Sequence, residues 1–220
     1  MDNKTILFLH GFASSAQSAK AQYFGERFAA WPQVEFRAVD FNPTPKDFEY
    51  MTTTGQIDRL RQYVLDHSLQ RFSLIGSSYG GLIAVHYAQR FGGVDKMLLL
   101  APGLRWLSGG LSDEQMEQWR KAGVAPVLHY AFEKELPIRY DLEVDGQRYL
   151  EPIPPPTPVT IIHGDADNAV PTDDSRQYAA AYPDLVRLVE VAADHDLNGH
   201  LDLIWRCVES FLLDIEEEGA

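Results

Sequence analysis

A single cysteine, Cys207, stands in the 220 residues, so no disulfide can form within the chain. Set among apolar residues near the C-terminus, it reads as a core side chain and says little about the redox compartment. Basic side chains are scarce too: 19 Lys and Arg against 32 Asp and Glu leave a formal net charge of −13. A phosphate backbone needs a basic patch, and no basic run occurs, so a nucleic-acid partner is not expected. No apolar run approaches the roughly 18 residues of a membrane span. The short run ending at His10 lacks the length and cleavage pattern of a secretory leader. These absences predict a cytoplasmic protein with no membrane partner. Internal repeats and long low-complexity segments are missing as well. His67, His86 and His129 share no ligand spacing with one another, so no metal is expected.

What is present builds a globular core. Hydrophobic residues make up 45% and charged residues 23%, too apolar for a disordered chain, and the length suits one domain. Short β-branched and Leu-rich runs recur at 5–9, 34–39, 72–75, 96–100, 159–162 and 186–191. Segments of helical character lie at 16–30, 53–67, 79–91, 173–182 and 199–215. In the last of these Leu201, Ile204, Trp205, Val208, Phe211 and Leu212 form one apolar stripe, and Glu216 to Glu218 read as a solvated tail. Strands alternating with helices predict an α/β fold: a mostly parallel sheet with helices on both faces.

Residues 102–158 break that rhythm, because an ordinary connection between strands is far shorter. The core is therefore expected in 1–101 and 159–220, with 102–158 a lid inserted after the strand that follows the 79–91 helix. Ser112 and Gln115 have capping-box spacing for a helix running to about Lys121. Asp145-Gly146 could turn a hairpin or sit in a weak helix. Pro152 with Pro154, Pro155, Pro156 and Pro158 makes a stiff return to the sheet. The insertion carries Leu104, Trp106, Leu107, Trp119, Tyr130 and Phe132, more large apolar side chains than a solvated loop needs. Some are expected to line a substrate pocket, with Trp106 and Trp119 the first candidates.

Gly76-Ser77-Ser78-Tyr79-Gly80 matches G-x-S-x-G between a predicted strand and a predicted helix, the setting that motif requires. A serine at such a sharp turn needs small residues two before and two after it, which holds for Ser78 and not for Ser77. A serine hydroxyl is a weak nucleophile, so it needs a base, and the base an orienting carboxylate. His195 follows the run at 186–191; His200 is the alternative but falls at the start of the last helix. Asp165 and Asp167 both follow the run at 159–162, and their spacing alone divides them evenly. His163 reads as a packed polar residue ending its strand. Ser78, an aspartate and His195 thus all fall at carboxyl ends of strands, the edge where open α/β sheets hold their sites. An oxyanion would need two N–H donors: Tyr79, next to the nucleophile, and Phe12, in the loop after the first strand. A helix N-cap at Ser14 or Ser15 is compatible with the second.

Together, Leu9-His10-Gly11-Phe12 with Ser14-Ser15 and Ser18-Ala19-Lys20-Ala21, Gly76-Ser77-Ser78-Tyr79-Gly80-Gly81, His163-Gly164-Asp165-Ala166-Asp167 with Val170-Pro171, and Asp194-His195 resemble the small bacterial YqiA-like esterases of the α/β-hydrolase superfamily. The resemblance runs over nearly the full chain and is weakest in 102–158. It implies an α/β-hydrolase fold. The shared pattern His-Gly-x-x-Asp-x-x-Val-Pro puts the acid on Asp167 rather than Asp165, and the base on His195. It further implies a small-molecule ester or thioester substrate of modest acyl length, handled without a cofactor. A lidded binding protein that keeps the fold without turnover is the non-enzymatic alternative.

Overall fold

The computed structural model describes residues 3–108 and 110–215; the acidic stretch Glu216 to Glu218 lies outside them. Six parallel strands form the central sheet: β1 (Lys4–Leu9), β2 (Val34–Val39), β3 (Phe72–Ser77), β4 (Val94–Leu100), β7 (Val159–Gly164) and β8 (Val186–Val191), in the order β2-β1-β3-β4-β7-β8. Successive side chains of a strand point to opposite faces, and the core divides accordingly. Leu7, Leu9, Leu74, Leu99 and Ile161 pack on one side, together with Ile57, Leu60, Leu82 and Ile83 from α3 (Thr53–Asp66) and α4 (Tyr79–Phe91). Ile6, Phe8, Ile75, Leu98, Leu100 and Ile162 pack on the other, against Phe24 and Phe28 of α1 (Ala19–Phe28) and Ile204 and Trp205 of α8 (Leu201–Cys207). Both faces are covered, which is why the central strands read as largely apolar runs, whereas the edge strands carry charges, Glu35 and Arg37 on β2 and Arg187 and Glu190 on β8. Among the described residues no helix is long and apolar enough to cross a membrane.

Local chemistry sets the helix starts. Ser18 caps α1, its Oγ accepting the Ala21 N–H at 3.4 Å, whereas Ser15 Oγ accepts the Gln17 N–H in the preceding turn. The cap lies one short turn later than Ser14 or Ser15. A five-residue helix, α2 (Pro45–Glu49), follows β2, with Pro45 at its first position and a capping box between Thr44 and Asp47. The last helix does not run as one α-helix to 215: α8 passes into a π-helical segment at Val208–Leu212.

Residues 102–158 hold α5 (Asp113–Ala122), an antiparallel hairpin of β5 (Val124–His129) and β6 (Lys134–Arg139), and α6 (Asp141–Gly146). The capping box at Ser112 and Gln115 closes in both directions, at 3.3 and 2.9 Å. Asp145-Gly146 lies in α6, so the weak-helix alternative holds there and the hairpin sits earlier. Pro126 and Pro137 face each other in that hairpin, where a two-stranded ribbon leaves each strand an edge and a missing N–H is tolerated.

Candidate active site

Strand β2 leaves β1 on one side and β3 lies on the other, so the carboxyl ends of β1 and β3 flank a crevice where the chain reverses its winding. Ser78 sits there, between β3 and α4, with φ 54° and ψ −118°. A residue with a Cβ is strained in this region and needs the surroundings to hold it. Its N–H donates to Leu100 O at 2.8 Å, and its carbonyl accepts from Gly81 at 2.8 Å and Gly103 at 3.0 Å. The neighbouring glycines leave room for the turn. A Cβ on Gly76 would lie 2.8 Å from Gly80 O, and one on Gly80 would collide with the Leu9 carbonyl.

The loops after β7 and β8 bring the next two groups. Gly164 pairs with Val191 in register, and the contact continues past the strands: Asp165 N–H donates to Val191 O at 2.9 Å and Ala166 N–H to Ala193 O at 3.0 Å. A Cβ on Gly164 would strike the Ala193 carbonyl, so the glycine permits this approach. His195 Nε2 lies 2.9 Å from Ser78 Oγ, and its Nδ1 lies 2.7 Å from Asp167 Oδ2. A carboxylate only accepts, so the neutral imidazole carries its proton on Nδ1 and offers Nε2 to the Ser78 hydroxyl.

Asp167 has a fully buried side chain. Burial by itself pushes its carboxyl up, but N–H donation from Val170, His195 and Ala169 outweighs that and holds it below the usual carboxylate range. Oδ1 accepts the Ala169 and Val170 N–H groups, both at 2.8 Å, leaving Oδ2 for the histidine. Asp165, by contrast, is exposed at the surface. His200 Nε2 lies 3.2 Å from Ala192 O, on a partly buried residue. Asp194 Oδ1 accepts the Asp196 N–H in a local turn.

The loop after β1 lies against the serine: a Cβ on Gly11 would come within 3.3 Å of Ser78 Cβ. Buried His10 accepts the Phe41 N–H on Nε2 at 3.1 Å, which leaves its proton on Nδ1 to donate to Gly11 O at 2.9 Å. Phe12 and Tyr79 meet edge to face, 6.2 Å between centroids. Their side chains border a cavity of about 380 Å³ that opens onto Ser78 and His195. Trp106, Trp119, Leu107, Ile138 and Leu142 from 102–158 line it. Tyr130 and Phe132 do not reach it; they border a separate hollow beside Asp40 and Asn42.

Two residues matter more than their sequence context shows. Buried Glu143 accepts the Trp106 indole N–H at 2.8 Å and the Ser108 hydroxyl at 3.3 Å, so it holds one wall of the cavity. Gly146 backs the same ring: a Cβ there would lie 2.5 Å from the indole. Nothing in a lone Glu within a weak helix signals this. His163 does not merely end its strand, since its Nε2 lies 3.0 Å from Asp167 Oδ2. Its place four residues before Asp167 was the only available signal.

A family model described as an uncharacterised protein family, UPF0227, matches residues 5–212. The chain belongs to this family. Solved structures similar to this UPF0227 chain include alpha/beta hydrolase domain-containing protein 10 from mouse, with a TM-score of 0.75 and 20% identity over 98% of this chain and 93% of that one. Est1E from Butyrivibrio proteoclasticus, with ferulic acid bound, has a TM-score of 0.77 and 20% identity over 97% and 89%. A monoacylglycerol lipase from Paleococcus ferrophilus has a TM-score of 0.73 and 14% identity over 96% and 94%. At such identities the likeness speaks for the fold, and the UPF0227 chain has the α/β-hydrolase fold.

Proposed function

We propose that the protein is a serine hydrolase that cleaves carboxylic esters of short to medium acyl chains through an acyl-enzyme intermediate. The observation that carries this reading is the unbroken line of hydrogen bonds from Ser78 Oγ through His195 to Asp167, at 2.9 and 2.7 Å. Ser78 Oγ attacks the ester carbonyl carbon while its proton moves to His195 Nε2. The resulting oxyanion is received by the N–H groups of Phe12 and Tyr79. Collapse of this intermediate expels the alcohol, which takes the proton back from Nε2, and leaves the acyl group on Ser78. Water then attacks the acyl carbon with His195 again as base, and the acid and free serine result.

Asp167 holds the ring in the tautomer that can accept from Ser78, and its charge stabilises the imidazolium. The insertion 102–158 acts as a lid, and the apolar cavity behind Trp106 and Trp119 takes the acyl chain. A cavity of about 380 Å³ covers only a limited chain, so long-chain triglycerides are poor substrates. A fluorophosphonate probe tests the nucleophile: labelling located at Ser78 by peptide mass spectrometry, and lost in Ser78→Ala, is expected. Labelling that persists at Ser77 in that variant would refute the assignment. The acyl range is tested on a ladder of p-nitrophenyl esters of increasing chain length.

A further inference from the structure

Asp167 Oδ2 faces two histidines. His195 Nδ1 is 2.7 Å away on the solvent side, and His163 Nε2 is 3.0 Å away from beneath. His163 and its other partner, Ser175, are both fully buried, so neither can draw on water. The proton positions on His163 follow from its neighbours. Its Nε2 meets two acceptors, Asp167 Oδ2 and, at 3.1 Å, the Val170 carbonyl, so that nitrogen carries the hydrogen. Its Nδ1 is 2.8 Å from Ser175 Oγ and accepts that hydroxyl's proton. Burial pushes the His163 pKa down, and the imidazole stays neutral. The other ionisable groups facing it are His195 and Glu190, and Glu190 stands opposite in the β7–β8 register with its charge engaged by Arg176 at 3.1 Å.

We propose that His163, held in one tautomer by Ser175, is a positioning residue for the reaction: its Nε2–H bond to Asp167 Oδ2 orients the carboxylate and withdraws part of its negative charge from His195. The proposal rests on Ser78, His195 and Asp167 acting as the triad. Without the His163 donor, Oδ2 would serve His195 alone. The carboxylate would then hold the imidazolium more tightly, and its plane would depend only on the bonds from Ala169 and Val170 to Oδ1.

Two amide replacements separate this role from packing. His163→Gln can set an N–H where Nε2 stood, whereas His163→Asn can reach only the Nδ1 position beside Ser175. With a p-nitrophenyl ester, His163→Asn is expected to lower kcat roughly tenfold at unchanged KM, the scale seen for outer partners of ligating histidines. It should also move the acid limb of the kcat/KM profile upward by about half a pH unit. His163→Gln should stay near the parent in both respects, with melting temperatures reported for each. Equal behaviour of the two variants, with kcat and the acid limb both at parental values, overturns the proposal.

A measurement on the parent covers the case in which neither variant folds. Nitrogen-15 NMR of labelled histidines should show one ring fixed as the Nε2–H tautomer from about pH 5 to about pH 8, where an ordinary imidazole changes charge. A titrating His163, or one carrying its hydrogen on Nδ1, overturns the proposal. Ser78→Ala run beside these separates the two levels. If that variant keeps full activity, the triad reading falls and this proposal with it. If it is inactive while His163→Asn is indifferent, only the proposal falls.

Discussion

The carboxyl edge of the sheet and the insertion at 102–158 are held by different means. At the sheet edge, the loops after β3, β7 and β8 are fixed by backbone bonds and by glycines that let one main chain approach another. Ser78 N–H on Leu100 O and Ala166 N–H on Ala193 O are examples. The central strands β1, β3, β4 and β7 bury nearly all the side chains of their carboxyl halves. The insertion instead forms a two-stranded ribbon whose strands pair only with each other among the described residues. It turns Leu136 and Ile138 inward while Leu128 stays half exposed. Side chains join it to the rest: Thr54 Oγ1 to Asp145 at 2.7 Å, Arg139 to Glu49 at 3.1 Å and Arg105 to Asp174 at 2.9 Å. Chemistry thus rests on a frame that few substitutions can deform. The cavity wall rests on contacts that can be changed one at a time.

The largest effects should come from the frame. Ser78→Ala and His195→Ala are each expected to lower kcat on the order of 10⁶-fold, as in other serine hydrolases, with the melting temperature close to the parent. Esterase assays beside thermal unfolding check this, and a variant that retains a tenth of parental kcat contradicts the division of roles. Asp167→Asn should cost on the order of 10⁴-fold in kcat by favouring the wrong tautomer of His195, while exposed Asp165→Asn stays near the parent. Paired kinetics in which the ranking is reversed would move the acid to Asp165.

Changes in the insertion should be smaller and should alter selectivity rather than turnover. Trp106→Ala opens the cavity and is expected to move the best acyl length upward. Gly146→Ala pushes the same ring toward the cavity and is expected to move it downward. Each well-packed methylene transfers with about 0.8 kcal/mol, so kcat/KM should change a few-fold per carbon on either side of the optimum. The ester ladder reads both shifts, and two variants that move the optimum in the same direction, or not at all, break the assignment of this wall.

The smallest effect concerns acid. The Asp167 carboxyl is held below its ordinary range in the folded chain by N–H donors that outweigh its burial. Its charged form therefore adds stability that is complete above the unfolded value of about 3.9 and disappears as pH falls through the lower folded value. Urea unfolding of the parent and of Asp167→Asn should show a stability gap that narrows toward acid pH. A gap of constant size would mean that the carboxylate is not favoured by folding.

Much of the candidate site is legible in the residue order alone. Strands buried on both faces announce themselves as apolar runs, and Gly76, Ser78 and Gly80 announce a turn that only small neighbours allow. The hairpin in the insertion was not legible, because Pro126 and Pro137 argue against strands unless each is known to be an edge. The helix at Pro45–Glu49 is too short to show a period. Glu143 and Gly146 back the cavity wall only because α6 packs against Trp106.

The amino-acid order by itself determined the α/β alternation, the strained serine turn, and the placing of Ser78, His195 and two aspartates at strand ends. Those features follow from periodicity and local sterics, which act over a few residues. Choosing between Asp165 and Asp167 from the residues alone was beyond spacing, since both follow the same strand. Tertiary structure separates them: the Ala169 and Val170 N–H groups close on Oδ1 of Asp167, and the β8 loop brings His195 to its Oδ2, while Asp165 is left in solvent. The same holds for His163, whose partners Ser175 and Asp167 meet it only because β7, α7 (Thr172–Ala181) and the loop between them fold back on one another. Hydrogen bonds depend on distances in space, and a pattern read along the chain carries those distances only where the chain is locally regular.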